Sequence, residues 1–185
     1  GTAATWLDLH PAGAVDSVAY ASSGTQQVGR VNVGGQYHAG LWAGTAASWV
    51  DLHPDGASES VASHVSAGQQ VGYATVNGSQ RACLWMGTAL SWMDLTPAGA
   101  TSAVAQSTDG VDQVGYARFG GAPRAGVWSG SSSTWTDLHP AGATFSVANA
   151  VAGGQQVGVA QVAGVQRASM WLGTPDSWTS LHPAG

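Results

Sequence analysis

The chain has 185 residues, of which only 8% are charged, and its formal net charge is −5 at pH 7. It contains no lysine, and its five arginines are too scattered to form the basic face that neutralises nucleic-acid phosphates. No apolar run approaches the roughly 18 residues of a helical membrane span. We therefore predict neither nucleic-acid binding nor membrane insertion.

The first repeat contains four short segments that we predict to be strands. In chain order they are Trp-x-Asp-Leu-His-Pro at 6–11, Ser-Val-Ala-x-Ala at 17–21, Gln-Gln-Val-Gly-x-x-x-Val at 26–33 and His/Arg-Ala-x-Leu-Trp at 38–42. Turn residues, mostly glycine, proline, serine and alanine, separate them. Scarce glutamate and abundant valine, threonine and tryptophan favour strands over helices.

This unit recurs every 43 residues without insertion or deletion. Two tryptophan series show the step: Trp6, Trp49, Trp92, Trp135 and Trp178, then Trp42, Trp85, Trp128 and Trp171. We predict one repeat domain over 1–185, with repeats at about 1–43, 44–86, 87–129 and 130–172 and a partial repeat at 173–185. Four strands in a repeat of about 40–50 residues are typical of one β-propeller blade. A β-solenoid would have a shorter period, and helical repeats would show a 3.6-residue periodicity.

We therefore predict an all-β propeller of four 43-residue, four-stranded blades with one surplus outer strand. The surplus arises because residues 1–13 recur as residues 173–185. The Ser-Val-Ala-x-Ala segment, rich in small residues, suits the crowded innermost position, and the tryptophan-bearing segments suit the wider outer part. This order places the His-Pro-Ala-Gly loops and the turns between the second and third strands on one face.

That loop face is where we predict ligand binding. Its candidate residues are the loop histidines and the first residue of the His/Arg-Ala segment, together with tryptophans that could stack on sugar rings: His10, His53, His139, His182, His38, Arg81, Arg124, Arg167, Trp49, Trp92 and Trp135.

The repeat resembles the bacterial HAF repeat, named for a His-Ala-Phe triplet. The resemblance covers the whole chain and rests on the Ser-x-Ala, Gln-Gln-Val-Gly, His-Ala-x-Leu-Trp and Asp-Leu strings. The phenylalanine is absent throughout, and the histidine of the triplet survives only as His38. The resemblance implies propeller blades from secreted or cell-surface proteins, and we expect that location here.

Other polar groups leave two interpretations open. The Asp-x-His pairs place both side chains on one face of a strand, where they either hold a metal ion or hydrogen-bond the turn. The glutamine pairs either bind a ligand or bridge blades. Cys83 occupies either a slot for a small residue or a reactive position. We favour the structural alternative in each case, and we predict neither a metal nor a cofactor.

Catalysis needs a nucleophile, a base and a stabilising group at one place, and the breaks in the repeat assemble no known motif. We therefore predict that the chain is not an enzyme. The leading hypothesis is a multivalent, lectin-like binding module with one weak site per blade, whose glycan affinity grows by avidity. The alternative is a self-assembling scaffold whose surplus terminal strand is exchanged between molecules.

Overall fold

A computed structural model describes residues 6–183 as four antiparallel four-stranded sheets, each of which is one blade. Blade 1 contains β1 (Ser17–Ser23), β2 (Gln26–Val33), β3 (Gln36–Trp42) and β4 (Val50–Asp51). Blade 2 contains β5 (Ala57–Ser66), β6 (Gln69–Val76), β7 (Ser79–Trp85) and β8 (Met93–Asp94). Blade 3 contains β9 (Ser102–Thr108), β10 (Gln113–Arg118), β11 (Pro123–Trp128) and β12 (Thr136–Asp137). Blade 4 contains β13 (Ala143–Ala152), β14 (Gln155–Val162), β15 (Val165–Trp171) and β16 (Thr179–Ser180).

The predicted fold class is confirmed, and so is the order of the strands within each blade. The Ser-Val-Ala-x-Ala strands β1, β5, β9 and β13 contact one another in succession, which places them along the inner side of the array. Each blade packs its face against the next. In the described part of the chain the first and fourth blades do not pack together, so the four blades form an open arc.

The apolar core consists of three similar joints between successive blades. In the first joint, strands β2 and β3 and the residue after β4 meet the facing side of blade 2, and the buried residues are Val28, Ala39, Leu41 and Leu52 on one side and Ala62, Val65, Ala74, Cys83 and Trp85 on the other. Most of the equivalent residues 43 and 86 positions later form the other two joints; the exceptions are Thr108, which replaces Val65, and Gly126 and Ser169, which replace Cys83. The repeat therefore specifies one contact that is used three times.

The outer strands are shorter than the sequence predicted. In blade 1 a 3-10 turn (Ala46–Ser48) leads to Trp49, and β4 then has only two residues. One oxygen of the Asp51 carboxylate accepts the His53 backbone N–H at 2.8 Å, which takes that donor away from the sheet. Pro54 has no N–H at all. The ladder therefore ends where the His-Pro turn begins, and a full Trp-x-Asp-Leu-His-Pro strand does not form.

The segment predicted to be the surplus outer strand lies at the N-terminal end of the arc. β16 pairs with β15 of its own blade, whereas residues 6–11 belong to no strand and to no sheet. The side chain of Trp6 is 72% exposed, and Leu7 is similarly exposed. His10 attaches this segment to the start of β1 through a 3.0 Å contact between its Nδ1 and the Ser17 Oγ.

The predicted bridging role of the glutamine pairs is confirmed at two joints. The buried side chain of Gln113 donates to the Oε1 of Gln69 in the preceding blade at 3.0 Å, and Gln70 makes the corresponding contact with Gln26 at 3.4 Å. Each buried glutamine also joins two turns of its own blade, because its Oε1 accepts a glycine N–H such as that of Gly130 at 2.8 Å.

Substitution of Gly115 tests how closely the first two strands of blade 3, β9 and β10, approach each other. A Cβ at this residue would overlap the Val104 carbonyl oxygen, and this close approach recurs in all four blades. We expect Gly115→Ala to destabilise the protein by about 1–3 kcal/mol, the usual range for overpacking a tight site. Gly121→Ala is the matched control, because a Cβ there meets no atom within 4 Å. Chemical denaturation measures both, and equal stability of the two variants would contradict the argument.

Candidate functional site: an axial groove beside the inner strands

The predicted loop histidines hold the His-Pro turns in place. The Nε2 of His53 lies 3.0 Å from the Ala57 carbonyl oxygen, and its Nδ1 lies 2.8 Å from the Ser60 Oγ. Ser60 in turn accepts the Ala39 backbone N–H across the joint at 2.8 Å. A neutral ring with its proton on Nε2 satisfies all three groups. His10 and His139 make the same two ring contacts, whereas the described contact of His182 is made by its backbone N–H, to the Ser180 Oγ at 3.3 Å.

The predicted basic residues of the third strand face the outer strand of the same blade. In blade 1 the Nδ1 of His38 lies 2.8 Å from the Asp51 carboxylate, and the His38 ring stacks on His53 with centroids 3.9 Å apart. Arg81 lies 4.0 Å from Asp94 in blade 2, and Arg124 pairs with Asp137 in blade 3. In blade 4 the outer-strand position is Ser180, so Arg167 lacks the outer-strand aspartate that its counterparts pair with.

The predicted tryptophans pack over the slot that Cys83 occupies in blade 2. The indole N–H of Trp92 donates to the Cys83 Sγ at 2.9 Å. The equivalent slots in blades 1 and 3 hold Gly40 and Gly126, where a Cβ would crowd the rings of Trp49 and Trp135. The slot therefore takes small residues because a tryptophan covers it.

One predicted tryptophan also reaches the surface in a cavity. Trp92 lines an outer notch of about 230 Å³ together with Pro54, Asp55, Ala89 and Leu90. The side chain of Leu90 is 95% exposed at its rim.

The structure brings some of the predicted residues together within a blade. His53 and His38 meet Asp51 in blade 1, and His139 and Arg124 meet Asp137 in blade 3. It does not bring the equivalent groups of different blades to a common point. Among residues 6–183 there is no group of three or more His, Cys, Asp or Glu side chains placed to hold a metal ion.

A second cavity lies on the inner side of the arc, and we call it the axial groove. Its volume is about 350 Å³, and its lining comes from blades 1, 2 and 3: Tyr20, Arg30, Val61, Ser63, Tyr73 and Gln106. The pairing of each inner strand with its neighbour slips by one residue, and Tyr20, Ser63 and Gln106 are the residues skipped in the register. Such β-bulges turn a side chain out of the regular alternation. Here the three bulges direct the side chains of Tyr20, Ser63 and Gln106 into the groove.

The groove combines aromatic rings with both signs of charge. The Tyr73 hydroxyl donates to the Glu59 carboxylate at 3.1 Å, and burial, followed by the Glu59 charge, raises the pKa of Tyr73 to about 12. The phenol is therefore a neutral donor at physiological pH. The Arg30 guanidinium lies over the Tyr37 ring, 4.0 Å from its centroid. This stacking holds the guanidinium plane beside the groove.

The groove was not predicted from the sequence, because the candidate residues were chosen among those that recur in every repeat. The groove residues are those that differ between repeats: the variable position of Ser-Val-Ala-x-Ala holds Tyr20, Ser63, Gln106 and Asn149, and a second-strand position holds Arg30, Tyr73, Tyr116 and Val159. Variation at a fixed position of an otherwise regular repeat was the available signal. Glu59 is also a break in the repeat, but nothing in the sequence places it against the groove residue Tyr73.

Comparison with known proteins supports the fold alone. No family model matches the sequence, and no curated protein matches it. Among the solved structures similar to this chain are two β-propellers. TolB from Acinetobacter baumannii superimposes with a TM-score of 0.66 at 13% identity over 92% of this chain and 44% of that chain. A mutant of puromycin hydrolase complexed with PGG gives a TM-score of 0.63 at 13% identity over 87% of this chain and 27% of that chain. The chain thus spans less than half the length of either protein.

The prediction that the chain is not an enzyme is corrected by this comparison. Puromycin hydrolase is an enzyme, and its structure contains the blade architecture found here. A repetitive blade sequence without a recognised catalytic motif was therefore not sufficient ground for excluding catalysis.

The described part of the chain contains no helix long and apolar enough to cross a membrane.

Two half-buried histidines make the stability of the fold depend on pH. Burial lowers the pKa of His53 and of His64, and the Thr108 backbone N–H points at the His64 Nδ1 from 3.4 Å. Because the folded pKa lies below the unfolded value of about 6.5, the unfolded state binds more protons in acid. Their contribution is complete above about pH 6.5, and it falls as the pH drops from there toward the folded pKa values.

We expect the free energy of unfolding, measured with denaturant between about pH 7.5 and 5, to fall with acidity. His64→Ala should reduce this slope because it removes one of the two titrating groups. The fold accepts alanine at this position, since Ala21 and Ala150 hold it in two other blades. A slope that is unchanged in the variant would show that His64 does not contribute.

Cys83 should be unreactive in the folded protein. The side chain is fully buried, and this burial raises the pKa of its thiol. Because the thiolate is the reactive form, we expect no modification by an aromatic disulfide reagent at about pH 8 and rapid modification in denaturant. Rapid modification of the native protein would show that the slot opens.

Proposed function

We propose that this chain is a binding module whose ligands are carbohydrates, and that the axial groove is its principal site. The observation that carries the proposal is the lining of the groove, in which two tyrosines stand beside polar side chains from three blades. Flat aromatic surface next to planar hydrogen-bonding groups suits sugar rings, which have apolar faces and hydroxyl edges.

The chemistry of the groove offers a sugar both kinds of polar partner. Arg30 supplies donors only, and Gln106 supplies a donor and an acceptor. The Glu59 carboxylate does not line the groove itself, but it accepts from the Tyr73 hydroxyl, which does. Because the Arg30 cation of the lining is accompanied by this carboxylate behind Tyr73, neutral sugars are the class that we propose.

Weak sites in each blade remain part of the proposal, as does a secreted or cell-surface location, where glycans are abundant. The notch beside Trp92 is the loop-side cavity that fits the predicted outer sites best. The loop histidines are already engaged by the turns, so they are less available to a ligand than the groove residues. Multivalency would follow if both kinds of site bind.

A glycan array followed by calorimetric titration of the best ligand tests the proposal. We expect Tyr20→Ala to weaken binding about two- to tenfold, since one aromatic contact is worth about 0.5–1.5 kcal/mol. Leu90→Ala is the control, because Leu90 is exposed at the notch and away from the groove. Weakening by Leu90→Ala alone would move the site to the notch. Absence of glycan binding at millimolar concentration would reject the carbohydrate proposal.

We also propose, as a second function, that the chain is a self-assembling scaffold that exchanges its surplus strand. The supporting observation is the state of that strand: residues 6–11 join no sheet, and Trp6 and Leu7 are strongly exposed, although the equivalent segments complete all four blades. An unpaired segment that forms an outer strand in every other copy of the repeat, and that exposes apolar side chains, is a natural site of pairing between chains.

Substituting the exposed pair tests the scaffold. We expect Trp6→Ser with Leu7→Ser to reduce association by about tenfold or more, because two large apolar contacts are removed. Met86→Ser with Leu90→Ser is the matched control, since those side chains are also exposed but lie beside the outer turn of blade 2. Mass measured by sedimentation over a range of concentrations compares them. An equal effect of the two double variants would indicate nonspecific aggregation.

A further inference from the structure

The outer strand of blade 4 lacks the charged group that the other three blades possess. His38, Arg81 and Arg124 each lie within 4.0 Å of an aspartate of their own outer strand. Arg167 holds the same position on β15, but the partner position is Ser180. Within residues 6–183, Arg167 forms no ion pair with an acidic side chain.

The N-terminal segment carries the complementary group. Asp8 holds the position of Asp51 in the repeat, but residues 6–11 belong to none of the four sheets in the described part of the chain. One oxygen of Asp8 accepts the His10 backbone N–H at 2.9 Å, as the corresponding oxygen of Asp51 accepts that of His53. The other oxygen of Asp51 binds His38. In the described part of the chain, that second oxygen of Asp8 has no hydrogen-bond partner.

The end faces of the arc are also complementary. On blade 4, the face that corresponds to the one by which blades 1 to 3 contact the next blade is less buried than its counterparts: Ala168 is exposed, and Leu181 is 53% exposed whereas Leu52, Leu95 and Leu138 are fully buried. On blade 1 the opposite face exposes Val18 and Ala19, whereas their counterparts in blades 2 to 4 are buried. These two faces are the halves of the joint that the molecule already forms three times.

We propose that residues 6–9 of a second copy of this chain form the outer strand of blade 4 in place of Thr179–Ser180, with Asp8 of that copy paired to Arg167. This inference rests on the scaffold proposed above and identifies where the exchanged strand docks. Blade 1 of the second copy then covers the open face of blade 4, because residues 6–16 lead directly into β1 as residues 49–56 lead into β5.

The exchange replaces a weakly held strand by an equivalent one. β16 makes two register pairs with β15, the Trp178 indole N–H donates to the Ser169 Oγ at 2.9 Å, and the Leu181 N–H donates to the Ala168 oxygen at 2.7 Å. Trp6 and Leu9 hold the same positions in the repeat and can make the same bonds. What is gained is the ion pair and the burial of two apolar faces.

The occupant is a second copy because the two surfaces are complementary halves of the same joint and lie at opposite ends of the four-blade arc. Such an interface is head-to-tail, and it produces either a closed ring or a growing filament. The end faces carry few charges, so docking them does not require burial of unpaired ions. Gln155 is positioned to accept from Gln27 of the second copy, as Gln69 accepts from Gln113 within the chain.

Charge reversal with mixing tests the proposal. Sedimentation equilibrium should show concentration-dependent association of the unmodified protein. We expect Asp8→Arg alone and Arg167→Asp alone to weaken it by about tenfold or more, because each places like charges opposite one another. An equimolar mixture of the two variants should associate as the unmodified protein does, since copies that alternate along the assembly then place opposite charges together at every interface. Arg118→Asp, which makes the same charge change on β10, should have no effect.

Each outcome decides the question. Rescue in the mixture establishes an intermolecular pair between the two positions, and a mass that stops rising at high concentration identifies a ring. Association that is unaffected by either reversal, or reduced by both without rescue, overturns the docking but leaves the scaffold proposal standing. A monomer at every concentration overturns both.

Discussion

The whole structure depends on one repeated contact, the joint between successive blades. A four-stranded blade of this size has two apolar faces and cannot bury both within itself. Small residues on one face, such as Ala62 and Ala74, let the larger side chains of the preceding blade approach closely. The glutamine contacts then set the alignment, because an amide that bridges two blades is satisfied in only one register. The fold is therefore the consequence of satisfying this contact three times along a single chain.

Much of this arrangement could be predicted from the sequence, and the reason is the constant spacing. The 43-residue step places every equivalent residue in an equivalent environment, so strand order and the inner position of β1 follow from residue size. The length of the outer strand did not follow. It is limited by a side chain, Asp51, which accepts a backbone donor that the sheet would otherwise use. Competition of that kind depends on local geometry, and an Asp-Leu-His-Pro string does not reveal it.

The candidate site shows a different limit. The recurring histidines and tryptophans were predicted to bind a ligand, but in the structure His53 holds a turn and Trp92 covers the slot of Cys83. The groove is instead built from positions where the repeat varies, and a β-bulge gives them a common direction. Residue identity shows where a repeat varies, but the bulge that aims Tyr20 and Gln106 is a property of strand pairing. The sequence alone therefore could not distinguish variable surface positions from variable groove positions.

The similarity of the three joints also bears on how the molecule folds and unfolds. An array in which each unit contacts only its neighbours behaves as a linear chain of coupled elements, and its ends have one coupling fewer than its interior. The second joint differs from the other two, because Thr96 and Ala103 replace the histidine and serine that link the blades elsewhere. Amide exchange in this molecule should therefore be graded, with the central blades opening last except where that substituted joint provides a place to separate into halves. The regularity that makes the fold easy to recognise also makes its local irregularities the places where its motions begin.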